Sequence, residues 1–459
     1  MSAPLDRQIT LLQEALQCAE EYLRTVDDRS VFPTTEALDA LDGFDEPLPD
    51  DSTEASEVLA LLHRVGSPGT VAQVGGRYFG FVNGGALPVG VAARVLADVW
   101  DQNTAHYVMS PIAARLEAVC ERWLSELLGL PAGTAAGFVT GTTLANLSGL
   151  AAGRNELLRR QGWDVVDAGL YGAPPVPVVV GADTHATVRK SLALLGMGDA
   201  HTHVVPVDDQ GRLQVDRFPA LGVPALVVAQ AGNVNSGAFD PVGALCDRAH
   251  EDGGWVHVDG AFGLWAAAVP SLRHLADGID RADSWAVSAH KTLNVPYDCG
   301  IVMCRDRGAL EAAFRASAAY FQWSEHRDPM RYTPSMSRRA RSVELWAVLK
   351  TLGRDGVVEL VEQLCEHAQA FAAQLRGHGF EILNDVEFNQ VLVSCDNDAE
   401  TERTLAAIQT LGSCWCGGST WQGRPVIRVS VCSWSTTQDD VRQAVRSFCA
   451  ARDTARAAV

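Results

Sequence analysis

The sequence predicts an α/β protein: a mostly parallel central sheet with helices on both faces, preceded by an N-terminal helical segment and followed by a small C-terminal α+β domain. Two patterns carry that expectation. Between Gly137 and about Asp306, apolar strand-like runs alternate with stretches of helical period, as in open sheets whose parallel strands are joined by helical crossovers. From residue 341 the order changes to long helical patterns followed by short strands. A chain of 459 residues is also past the size at which one core stops growing, so about three units of unequal size are expected.

Residues 1–76 read as a helical arm and linker. Apolar residues recur at helical spacing (Leu5, Ile9, Leu12, Leu16, Ala19, Leu23) until an acidic, proline-containing stretch at 39–52 interrupts them. Residues 77–340 form the large domain, with strand-like runs at 138–140, 176–180, 225–229, 255–258, 284–287 and 301–304, and a polar segment at 322–341. Residues 341–459 form the small domain: helical patterns at 343–352, 357–375 and near 401–411, and strands at 382–383, 391–394 and 426–432.

Composition excludes several partners. With 47% hydrophobic and 20% charged residues, and no apolar run near the ~18 residues of a membrane span, no membrane segment is expected. A formal charge of −19 without a basic stripe argues against nucleic acid. The first ten residues lack a basic region followed by an apolar stretch, so a cytoplasmic protein is expected, with its 11 scattered cysteines reduced. Cys414-Trp415-Cys416 with Cys432, and His201-Thr202-His203, have no second ligand pair beside them and read as strand residues; no metal is expected.

In sheets of this kind ligands collect at the carboxyl ends of the strands, and Thr140, His185, Asn233, Asp259 and Lys291 all fall just after strand-like runs. Lys291, in Ser288-Ala289-His290-Lys291-Thr292, lies 32 positions after the aspartate of His257-Val258-Asp259-Gly260-Ala261. Such a pair suits pyridoxal phosphate, whose aldehyde condenses with a lysine amine to an imine and whose pyridine nitrogen needs a carboxylate to stay protonated. Thr142 and Thr143 follow Gly141 at a helix start, where backbone N–H groups and hydroxyls make an anion site. His185 opens another helix and would stack on the cofactor ring. Taken singly, each has a plainer reading: a buried, paired lysine, an ordinary helix cap, a structural histidine.

Together these motifs resemble the group II pyridoxal-phosphate-dependent amino acid decarboxylases, which include the aromatic amino acid, glutamate and cysteine sulfinate decarboxylases. The resemblance runs from about Arg77 to Arg428. It implies a type I aminotransferase-like fold and a homodimer with shared active sites. It further implies the imine on Lys291, the ring-nitrogen contact on Asp259, ring stacking by His185, support of the other ring face by Ala261, and phosphate contacts from Thr142, Thr143, Ser288 and His290. The stretches around Phe81 and Asn83 and around His106 and Tyr107 resemble those that line the family's side-chain pocket. There Phe81 and Tyr107 would suit an aromatic substrate, Asn83 and His106 an acidic one, and core or interface packing is the alternative for each. Arg428 sits where type I aminotransferases place a carboxylate-binding arginine. Two departures stand out. Gly232-Asn233-Val234-Asn235-Ser236 replaces a threonine-rich stretch, so Asn233 is expected to contact substrate or reshape the pocket. The family's mobile loop falls within 322–341 but is short; Tyr332 is the nearest candidate for its catalytic tyrosine, although out of register, and an exposed loop aromatic is the other reading.

The expected reaction is decarboxylation of an L-amino acid to the amine. Substrate displaces Lys291, carbon dioxide leaves, and Tyr332 or His185 returns a proton to the α-carbon. Transamination, oxidative deamination and carbon–carbon cleavage use the same cofactor chemistry and remain alternatives, as does a non-catalytic relative.

Overall fold

The computed structural model describes residues 4–457 apart from Ser324. Seven strands form the main sheet: β1 (Ala135–Val139), β2 (Val178–Gly181), β3 (Thr202–Val205), β4 (Leu226–Gln230), β5 (Trp255–Asp259), β6 (Ser284–Ser288) and β7 (Gly300–Cys304), in the order β1-β7-β6-β5-β4-β2-β3. From β3 to β6 every pairing is parallel, whereas β7 runs antiparallel to both β6 and β1. These strands are short and rich in valine, and most are buried along their whole length, as expected of a sheet covered on both faces.

The two faces hold separate cores because side chains alternate along each strand. Val179, Val227, Val256, Val258, Trp285, Ile301 and Met303 pack on one face; Val178, Val180, Leu226, Val228, Trp255, Ala286 and Val302 pack on the other. The second face is covered by the helix Thr142–Arg160, which lies against β5, β6 and β7, and by the helix Ala186–Leu194 beside it. Asp259, Gln230 and Ser288 point to this same helix-covered face, at the carboxyl ends of β5, β4 and β6.

A second, antiparallel sheet follows in the order β10-β11-β9-β8, from β8 (Glu381–Ile382), β9 (Gln390–Ser394), β10 (Gly417–Trp421) and β11 (Arg424–Ser430). Its core includes Val391, Val393, Ile427, Val429, Cys414 and Cys416, while Cys432 packs with the main-sheet core. The helix Ser342–Gly377 joins the two. Gly353, at φ 61°, breaks it between the two helical patterns expected from sequence.

Gly300 shows how tightly the strand ends are packed. In register it sits between Val139 of β1 and Ser288 of β6. A Cβ there would fall 2.4 Å from the Cα of Gly141, on the turn into the helix Thr142–Arg160. Gly300→Val should therefore overpack this seam and lower stability by roughly 1–3 kcal/mol, measured by denaturant unfolding; an unchanged midpoint would mean that the turn moves freely.

Candidate active site

One cavity opens at the carboxyl edge of the sheet. It is lined by residues 141–143 at the helix start, His185 and Thr187, Gln230, Gly232 and Val234, Asp259, Ala261 and Phe262, and Ser288, His290 and Lys291. The eight residues assigned to the cofactor from sequence (Thr142, Thr143, His185, Asp259, Ala261, Ser288, His290 and Lys291) all reach it. They come from the ends of β1, β2, β5 and β6, so chain-distant loops converge.

Lys291 lies three residues past β6 in a tight turn. Asn294 holds that turn: its N–H donates to the Lys291 carbonyl (2.9 Å), and its side-chain amide donates to the carbonyls of Thr292 (2.8 Å) and Cys432 (3.0 Å). Its Oδ1 accepts from the N–H groups of Gly85 (2.7 Å) and Trp434 (3.0 Å), so two distant segments, at Gly85 and at 432–434, are tied to the lysine turn. The Lys291 ammonium lies 5.7 Å from the Phe262 ring centroid. Burial pushes its pKa below the ordinary lysine value, and the Asp259 charge opposes that push. A lysine brought toward neutrality is a better nucleophile for an aldehyde.

Asp259 is buried at the end of β5 and accepts from the Asn146 amide (2.9 Å) and from the Ala261 N–H (3.2 Å). His185 caps its helix: Nδ1 accepts from the Thr187 N–H (3.2 Å) and lies 2.8 Å from the Thr187 hydroxyl, which leaves the ring proton on Nε2. Burial lowers its pKa, with Asp259 acting against that shift and Lys291 and Arg428 adding to it. Thr142 and Ser288 share a 2.5 Å hydroxyl contact beside the helix start. No side chain caps that start, so its first N–H groups are available to an anion. His290 Nδ1 accepts from the Cys299 N–H (3.0 Å), its ring stacks on Tyr297 at 4.2 Å, and burial pushes its pKa down to about 4. A buried amine, a buried carboxylate and neutral donors at a helix start form a donor set that fits pyridoxal phosphate.

Other expected site residues lie elsewhere. Tyr332 is not poised over the cavity on a loop: it is 5% exposed and packs with the core that includes β1. Its hydroxyl accepts from Arg307 (2.9 Å), and the Arg327 guanidinium sits 3.9 Å from its ring centroid. Glu117 and Glu121 hold these arginines, so ion pairing folds the polar segment inward. Asn233 is also withdrawn. It is buried, and its Oδ1 accepts from the N–H groups of Asn235 (2.8 Å) and Ser236 (3.3 Å), closing a turn, while its neighbours Gly232 and Val234 line the cavity.

The substrate-pocket candidates do not line the cavity. Phe81, 60% exposed, stacks on Trp415 at 5.5 Å. Asn83 bonds Gln73 (2.9 Å) and accepts from the Tyr297 hydroxyl (3.0 Å). His106 packs against Phe321 and Trp323, with Nδ1 3.4 Å from Asp328, and Tyr107 packs against His326. Arg428 donates to the Val234 carbonyl (3.2 Å), and its Nε is buried without a partner. Asn146, Thr187, Gln230, Phe262 and Asn294 were missed from sequence. Asn294 alone left a trace, an asparagine suited to its left-handed turn at φ 55°.

The buried imidazoles set an acid limit. His257 (pKa pushed down to about 3) and His290 (about 4) are neutral when folded and take up protons near 6.5 when unfolded. Their contribution is complete above about pH 6.5 and is lost as pH falls toward 4 and then 3. Lowering the pH of the cofactor-free protein from 7 to 5 should cost roughly 2 kcal/mol per histidine, read by denaturant unfolding; equal stability at both values would place a charge on these rings.

The chain is similar to known proteins along most of its length. Residues 39–395 match the family model of the pyridoxal-dependent decarboxylase conserved domain. Tryptophan decarboxylase 1 of Oryza sativa subsp. japonica is 27% identical over 94% of this chain and 91% of that protein. The cysteine sulfinic acid decarboxylase of Homo sapiens is 28% identical over 69% of this chain and 66% of its own length. The crystal structure of Oryza sativa TDC with PLP and tryptamine superposes with a TM-score of 0.91 at 25% identity, covering 99% of each chain. With the type I aminotransferase-like fold in common and the family model matched over most of its length, this chain belongs to the pyridoxal-dependent decarboxylase family.

Proposed function

We propose that the protein removes the α-carboxylate of an L-amino acid, using pyridoxal phosphate attached through Lys291. The observation that carries this reading is the convergence of Lys291, Asp259 and an uncapped helix start on one cavity. When bound, the cofactor supplies the electron sink that accepts the bonding pair left by carbon dioxide. Asp259 holds the proton on the ring nitrogen. Thr142, Thr143, Ser288 and His290 hold the phosphate through neutral donors, and His185 and Ala261 hold the ring. His185, a cavity residue whose Nδ1 is occupied by Thr187, would return a proton to the α-carbon from Nε2.

Arg428 is the substrate-binding candidate with the most support from geometry, because its guanidinium is buried beside Val234 with Nε unpaired. Of the other candidates, Phe81 and Asn83 would act at their own chain's cavity, and His106 and Tyr107 at a neighbour's. The last two lie in the segment that also exposes Val108, Met109 and Ile112, and the preceding helix Pro88–Trp100 exposes Val91, Leu96, Val99 and Trp100. An apolar face of that extent suits a second copy of the chain, which would bring His106 and Tyr107 to its neighbour's cavity. The mass in solution should accordingly be twice 49.1 kDa by sedimentation; a monomer would remove the shared-site part of the reading.

Purified protein incubated with pyridoxal phosphate and a panel of L-amino acids should release carbon dioxide and the matching amine, identified by mass. Lys291→Ala should lose the visible absorbance of the attached cofactor together with turnover. Asp259→Ala should retain bound cofactor better than it retains activity. Keto acid or aldehyde without the amine would reassign the reaction, and normal turnover by Asp259→Ala would overturn the ring-nitrogen role.

A further inference from the structure

We propose that Asn146 is the positioning residue that orients Asp259, and that a buried series behind it, through His257 and Ser284 to Trp255, supports its amide in that orientation. This rests on the reading of Asp259 as the partner of the cofactor's ring nitrogen. Five side chains are linked in series. Trp255 Nε1 donates to Ser284 Oγ (2.9 Å), Ser284 Oγ lies 2.8 Å from His257 Nδ1, His257 Nε2 lies 2.9 Å from Asn146 Oδ1, and Asn146 Nδ2 donates to Asp259 Oδ2 (2.9 Å). The carboxylate end determines the rest. An ionised carboxylate can only accept, so Asn146 turns its NH2 to Asp259 and its carbonyl to His257, His257 donates from Nε2, and the Nδ1 of the neutral ring accepts from the Ser284 hydroxyl, whose lone pairs receive the Trp255 indole. Turning the Asn146 amide over would set its carbonyl against the Asp259 carboxylate and its NH2 against the His257 N–H. Burial pushes the His257 pKa down to about 3, which keeps this ring neutral with one proton to give.

The strand register builds the series. Trp255, His257 and Asp259 alternate onto one face of β5, and Ser284 pairs with His257 in register on β6. The helix Thr142–Arg160 then comes unusually close. A Cβ at Gly149 would fall 2.5 Å from His257 Cε1, and one at Gly153 would fall 2.7 Å from Trp255 Cδ1. Asn146, one turn before Gly149, is thereby brought within reach of Asp259. Its amide also approaches the Thr187 hydroxyl at 3.5 Å, and that hydroxyl bonds His185. One amide thus connects the carboxylate with the imidazole on the cavity wall.

The test uses the full chain in two arms. In the cofactor-free wild type, the 15N spectrum of histidine-labelled protein at pH 6 should show His257 uncharged and protonated at Nε2; an imidazolium, or a proton on Nδ1, would overturn the series. This arm needs no variant and no cofactor. In the second arm, pyridoxal phosphate labelled with 15N at its ring nitrogen should give a protonated resonance in the wild type. Asn146→Leu should move that resonance toward the unprotonated form and raise the cofactor Kd by about tenfold or more. An unchanged resonance and Kd in a folded Asn146→Leu variant would overturn the positioning role. A wild type that binds no cofactor would instead defeat the functional reading, and the histidine spectrum would still decide the series.

Discussion

Because β7 runs antiparallel to both of its neighbours, β1 and β6 point the same way and finish at the same edge. That reversal puts Thr142 opposite Ser288, although 146 positions separate them in sequence. It also brings the start of the helix Thr142–Arg160 to the edge where β4 and β5 present Gln230 and Asp259. Had β7 joined β6 in parallel while staying antiparallel to β1, the hydroxyls and free N–H groups of that helix start would lie at the opposite edge from the lysine. The glycine at the meeting point is the local cost of the arrangement, since any side chain at position 300 would occupy the turn that feeds the helix.

The parts of the site legible in sequence are those attached to strand ends. Strand-like apolar runs can be located, and residues just past their carboxyl ends fall at the ligand edge, which is how Asp259, Lys291, His185 and Thr142 are found. Asn146 is opaque because it lies within a helix, where its meaning depends on Gly149 and Gly153 allowing close approach to β5. Tyr332 fails for a different reason. The segment 322–341 is rich in charge and reads as solvent-exposed, yet Arg327 and Arg338 pair with Glu117 inside the protein. Partners so distant in sequence leave no local pattern. Asn233 illustrates a third case, a polar residue whose side chain serves its own backbone turn.

Burial acts on the bases of the cavity in one direction. Lys291, His185 and His290 are each moved toward their neutral forms by loss of water. Among the described residues lining the cavity there is no arginine and a single lysine. An anion at the helix start therefore meets aligned N–H dipoles and hydroxyls in place of a cluster of cations. Such donors are geometrically selective and place no second ammonium group beside Lys291.

The helix Ser342–Gly377 belongs to more than one core. Val348, Val357 and Val361 pack with the main sheet, and Leu364, Ala368 and Phe371 pack with the C-terminal sheet. Loss of either core would strip one side of this helix and expose apolar residues that the other core still needs. The two sheets are thus expected to melt in a single cooperative transition, so that a defect deep in the C-terminal sheet would be felt as loss of the cofactor site, and not as a truncated but competent enzyme.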